Sequence, residues 1–355
     1  MAAVVFLAAC TPGLDDAEPW TIHVGSTQIG IEWRRAEGDV QISRRTYFDT
    51  STPTSETRAQ ITNEGVIVAL SHGSASPPAP VRLPQSPVYW LEGTPSLWRD
   101  RDAVDLVDPV TGEPRTATVV RRSPDQVDLA LGDLALALTD GQLTVGPLQV
   151  TRGRSSLPRA DDLVAVLSAP APTPLHQPRT ARVVEIDVEG MSPRVLGPQA
   201  HLGGNRWRIE VPLAAEVPRR PAREGGRGDV ERWIATVSRE VRYAPNGMWA
   251  PAGAAVASGR GDCTEMAELF VQLARSEGVS AEVITGAVYI EQRQAWVPHA
   301  WAMVRLPGFG QLWVDPALQQ PVADAARIAL TQGSPDGWAM LALAQARIDV
   351  HQVRY

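Results

Sequence analysis

From Trp20 to about Pro212, apolar and polar residues alternate in short runs separated by turn residues. Trp20–Val24 leads through Gly25-Ser26 into Gln28–Trp33, a hairpin pattern with period two. The same alternation recurs at Val40–Tyr47, Gly65–Leu70, Ala117–Arg121, Val127–Leu131, Leu134–Leu138 and Leu143–Val150. It appears again at Val183–Val188 and Arg206–Val211. These runs predict a mostly antiparallel β region, arranged as a sandwich or an open curved sheet. Pro77–Pro87 is too proline-rich for a central strand and reads as a loop or strap.

Glu216–Gly228 is punctuated by Pro, Gly and Arg and reads as a linker. After it the period changes. Val230, Trp233, Ile234, Val237 and Val241 recur at helical spacing, which predicts an amphipathic helix ending near Tyr243. A second helix is expected from Asp262-Cys263 to Gly278, with Met266, Leu269, Phe270, Leu273 and Ala274 buried. Strands follow at Ala281–Ile290, Trp296–Leu306 and Gln311–Val314. The chain as a whole therefore reads as α+β. Residues 1–19 form a leader and tether, 20–215 a β-rich domain, 216–228 a linker, and 229–355 a second domain.

Composition narrows the function. Of the 355 residues, 44% are hydrophobic and 21% charged, the balance of a chain that buries a core. The formal net charge of -7 gives no global electrostatic case for nucleic acid as a partner. All 33 basic residues are Arg, so no lysine amine is present. Cys10 and Cys263 are the only cysteines, too few for a disulfide scaffold or a zinc cluster. No metal or cofactor is expected. No Gly-x-Ser-x-Gly elbow is present to support a serine hydrolase.

Cys263 draws the chemistry. Asp262 can cap the second helix and Glu265 can complete a capping box, which puts Cys263 at the first helical position. Free N–H groups and the helix dipole at that end would lower a thiol pKa. His299 follows in Trp296–Val304, where alternation places His299, Trp301 and Met303 on one face and Ala300, Ala302 and Val304 on the other. Asp315 ends the strand Gln311–Val314 and could orient the imidazole from a neighbouring strand.

Gly261–Phe270 with Leu273–Val279, Pro298-His-Ala-Trp301 and Trp313-Val-Asp-Pro316 resemble, in order, three motifs of the transglutaminase-like superfamily. The resemblance spans about Asp229 to Leu330. It implies a papain-like core and a Cys-His-Asp triad at Cys263, His299 and Asp315, acting on a protein or peptide substrate. It also implies an oxyanion-hole side chain upstream, for which Trp249 and Tyr243 are both candidates. The chain departs from many bacterial relatives after the aspartate, with Ala317 where Thr is usual and Arg327 where His is usual.

Val4–Cys10 resembles the end of a bacterial lipoprotein signal, with Leu7-Ala8-Ala9-Cys10 as the lipobox and Cys10 as the lipidated residue. That motif implies a lipid-anchored protein of the cell envelope, facing the periplasm or the outside, with the membrane as a partner through Cys10. Two readings of function follow. One is a cysteine-dependent amide-bond enzyme, a peptidase, amidase or acyltransferase working through a Cys263 thioester. The other is a non-catalytic envelope lipoprotein that binds peptide or cell wall with a transglutaminase-like domain.

Overall fold

A computed structural model describes the strands between residues 18 and 152, then residues 163–220, 224–244, 252–333 and 342–355. Cys10 and the rest of the leader lie outside the described residues, as does Trp249. The chain divides into two compact units, Met1–Asp161 and Asp162–Tyr355. No described helix is long and apolar enough to cross a membrane, which says nothing about strands.

In the first unit the described strands form one sheet of 13. Its path makes a meander that starts in the middle: Glu18–Val24 pairs with Thr27–Glu37 on one side and with Leu148–Arg152 on the other. From there successive antiparallel pairs run outward to Val81–Arg82 at one edge and to Ala103–Val107 on the other side, where Val88–Tyr89 adds in parallel as the edge. The described strands thus make one continuous hydrogen-bonded sheet. Alternation sets its apolar face, with Val127 and Leu129 buried and Asp128 between them half-buried. The run Leu143–Val150 is two strands, Gln142–Val145 and Leu148–Arg152, because Gly146-Pro147 turns the chain between them.

The second unit begins earlier than the sequence suggests. Val183–Glu189 and Arg206–Glu210 belong to it, since Val183–Glu189 pairs with the C-terminal strand Arg347–Arg354, Ile186 against Val350. A pairing that distant in sequence leaves no periodic trace, so the two runs look like more of the N-terminal sheet. Nor do the described parts of 216–228 form a free linker. Val217 is buried in the core beside Val230, and Arg227 N–H donates to the Pro218 carbonyl at 3.0 Å.

The core of this unit lies between two helices and a sheet. Arg227–Glu240 buries Val230, Trp233, Ile234 and Val237, the face expected from their spacing. Cys263–Ser276 buries Met266, Ala267, Phe270, Val271 and Ala274, and Trp233 meets Phe270 edge-on at 5.8 Å. Leu269 and Leu273 are only partly buried against the same core. The helix ends at Ser276, and Gly278 just beyond it takes a φ of +82, which costs a glycine little. Against the helices pack Ala300, Ala302 and Val304 of the strand Ala295–Leu306, with Val283 of Ala281–Ile290 and Val314 of Gly310–Val314.

Candidate active site

Cys263 opens its helix as the capping signal requires. The Asp262 carboxylate accepts from the Thr264 N–H at 2.8 Å, and Glu265 Oε2 accepts from the Asp262 N–H at 2.6 Å. Just upstream, Arg260–Gly261 pairs in parallel with Arg242–Tyr243, setting Tyr243 opposite Gly261. Gly261 is buried, and a Cβ there would stand 3.0 Å from the Ala255 Cβ and 3.1 Å from the Glu265 Cβ. That position favours glycine because the chain must pass tightly beneath the helix start.

The thiol does not behave as the helix end alone would dictate. Burial pushes Cys263 well above the usual thiol range, and the carboxylates of Asp262, Asp315 and Glu265 push the same way. The opposing influence is a hydrogen bond from the backbone N–H of Ala300. The expected lowering by the dipole is thus outweighed by desolvation and by the acidic residues of the capping box itself. Asp262 is likewise raised, by burial and by the neighbouring Glu265 carboxylate.

The Ala300 contact brings the sulfur to the residue next to His299. His299 is 7% exposed, and its Nε2 lies 2.7 Å from Oδ2 of Asp315, which is fully buried. Burial would raise the Asp315 carboxyl, but the charges of His299 and Arg327 and the bonds from His299 and the Leu318 N–H hold it at about 2. An ionised carboxylate only accepts, so the proton between the two groups sits on Nε2 of His299. His299 and Trp301 share a face, stacked at 20° with centroids 6.3 Å apart, and Trp301 packs edge-on to Trp313. Both tryptophans are buried, so they support the imidazole from below.

Tyr243 is 51% exposed, and its hydroxyl is raised by partial desolvation and then by the negative charge of Cys263, Asp262 and Asp315. Its phenol therefore belongs to the same electrostatic neighbourhood as the thiol. Of the two oxyanion candidates, Tyr243 is the one among the described residues.

Asp315 has a second partner that sequence spacing did not reveal. Arg327 Nη2 lies 2.9 Å from the same Oδ2 and 3.5 Å from Asp324, with no exposed surface. Asp324 is held in turn by Arg179 at 2.8 Å, Gln320 at 2.9 Å and the Ala326 N–H at 2.9 Å. Arg327 also donates to Gln320, and its guanidinium lies 5.8 Å from the Trp301 ring centroid. The only trace of this in the sequence is that Arg327 stands where relatives carry a different base.

Among the described residues no group of three or more His, Cys, Asp or Glu is arranged to hold a metal ion. What remains is a thiol at a helix start beside a strand that carries a carboxylate-bound imidazole. The family description that matches residues 217–316 is the transglutaminase-like superfamily. The chain carries a transglutaminase-like domain.

The matched segment of this transglutaminase-like domain contains Cys263 and His299 and ends one residue past Asp315. A candidate cysteine protease from Cytophaga hutchinsonii is similar at 12% identity and a TM-score of 0.24, over 49% of this chain and 89% of that one. A candidate protease from Parabacteroides distasonis is similar at 10% identity and a TM-score of 0.22, over 77% of this chain and 63% of that one. Likeness that low carries nothing about activity. No curated protein matches the chain.

Proposed function

We propose that the transglutaminase-like domain is a cysteine-dependent amide-bond enzyme with Cys263, His299 and Asp315 as its triad. One arrangement carries the reading: His299 is bonded to buried Asp315, and Cys263 packs against the core cluster that holds Ala300, the neighbour of His299.

In this reading Cys263 rests as a thiol. As its sulfur attacks an amide carbonyl, the proton passes to Nδ1 of His299, and Asp315 stabilises the imidazolium through Nε2. The backbone N–H of Cys263 and the Tyr243 hydroxyl are the donors for the oxyanion. His299 then protonates the departing amine and a thioester is left on Cys263. Water resolves it in hydrolysis and an amine in transfer. Placement in the envelope, with a lipid on Cys10, is proposed on the Leu7–Cys10 motif alone; Cys10→Ser should then release the protein from membranes into the soluble fraction.

The test compares wild type with His299→Ala and Cys263→Ala. Labelling by iodoacetamide is followed by mass spectrometry from about pH 6 to about pH 9, and turnover is followed on casein with a fluorescent primary amine. Labelling of Cys263 that slows at least about tenfold in His299→Ala, with cleavage or amine incorporation lost in Cys263→Ala, supports the enzyme. Equal labelling with and without His299 would mean an inert thiol, and the peptide- or cell-wall-binding reading would replace it.

A further inference from the structure

Arg327 is an expensive residue to bury. It has no exposed surface, and its Nε and Nη1 have no hydrogen-bond partner. All its polar contacts run through Nη2, to Asp315, Asp324 and Gln320. A side chain kept for packing alone would not carry a charge and two orphan donors into a core. Its contact with Asp315 falls on Oδ2, the oxygen that His299 uses, so one lone-pair region serves two donors.

The charges around the imidazole come from every packed side. Asp315 follows the neighbouring strand, and Arg327 opens the strand Arg327–Gln332. Asp324 and Arg179 lie behind Arg327. Asp262, Cys263 and Glu265 sit at the helix start, and Tyr243 feels the charges of both Cys263 and Arg293. Among these, Arg327 is the cation in direct contact with the carboxylate that must support an imidazolium.

Resting on the reading of Cys263, His299 and Asp315 as a triad, we propose that Arg327 is a positioning residue. It fixes Asp315 as an ionised acceptor and draws part of its charge away from His299, so that Cys263 and His299 rest as a neutral pair. The proton then moves only when a substrate carbonyl is in place. The order Arg327, Asp315, His299, Cys263 gives the sign: a cation beyond the carboxylate opposes an imidazolium more strongly than it assists a more distant thiolate.

The experiment measures the pH at which iodoacetamide labelling of Cys263 reaches half its limiting rate, in variants that move the pull of Arg327 on Asp315 in opposite directions. Arg327→Met with Asp324→Asn removes one charge of each sign and takes the cation off Asp315. The half-rate pH should fall by about one unit, and labelling near pH 6 should rise about tenfold. Asp324→Asn alone keeps the bonds to Gln320 and Ala326 but frees Arg327 to act on Asp315, so the half-rate pH should rise. Arg327→Lys, which keeps the charge, should hold the wild-type value. Shifts of opposite sign cannot come from general loosening of the core. If the double variant does not fold, the rise in Asp324→Asn still decides the matter. An unmoved half-rate pH, or shifts of one sign in both variants, overturns the proposal for Arg327. Labelling of wild type that is indifferent to His299→Ala overturns the triad itself, a distinct result.

Discussion

Tyr243 sits opposite Gly261 in a two-residue parallel ladder, with the Ala244 N–H donating to the Gly261 carbonyl at 2.8 Å. Gly261 is two residues before Cys263, so this ladder ties the strand of Tyr243 to the helix start. If that hydroxyl donates to the developing oxyanion, Tyr243→Phe should lower kcat on an amide substrate by roughly a hundredfold and leave KM near its wild-type value. Steady-state kinetics on the substrate found for wild type checks this. An unchanged kcat would leave the second donor elsewhere.

Gly286 pairs with His299 across the strands Ala281–Ile290 and Ala295–Leu306. A Cβ at Gly286 would fall 1.9 Å from the Ile328 carbonyl oxygen and 3.0 Å from the Trp301 ring. Backbone cannot step aside as a flexible side chain does. Gly286→Ala should therefore destabilise by about 3 kcal/mol or more and displace the support beneath the imidazole. Urea unfolding is the measurement, and a loss under about 1 kcal/mol would show that the strand Arg327–Gln332 can move.

Acid should weaken the fold through Asp315. Its folded value of about 2 lies below the ordinary 3.8, so it contributes stability that is present above about pH 4. That contribution is lost as pH falls toward about 2, and the shift corresponds to roughly 2 kcal/mol. Between about pH 5 and about pH 2, wild type should lose roughly that much more stability than Asp315→Asn, read from urea midpoints at each pH. Equal losses in both proteins would mean that other carboxylates govern the acid limb.

Asp262→Ala removes the acceptor for the Thr264 N–H and should cost about 1 kcal/mol. Asp262→Asn keeps an acceptor and should cost less than half as much. The thermal midpoints of the two variants give the comparison. Equal losses would show that the carboxylate charge, rather than the cap bond, supports the helix start.

The sequence by itself determined the local elements and named the candidate residues for chemistry. Period two wrote the strands, the spacing of Val230 to Val237 wrote the first helix, and Asp262 with Glu265 wrote the start of the second. All of these depend on interactions within a few residues, and local steric and capping rules suffice for them. Cys263, His299 and Asp315 were legible as candidates because each sits in a short motif whose residue types suit thiol chemistry.

Tertiary structure decided what depends on residues far apart in the chain. The C-terminal strand Arg347–Arg354 closes onto Val183–Glu189 and moves the division between units back to Asp161 and Asp162. Packing of separate segments leaves the thiol partly buried among carboxylates, reversing the pull expected from the helix end. Packing also places Arg327 against Asp315 and, through Asp324, Arg179 behind it. Burial and charge proximity arise only when separate segments pack and exclude water, so no window of sequence, however well patterned, contains them.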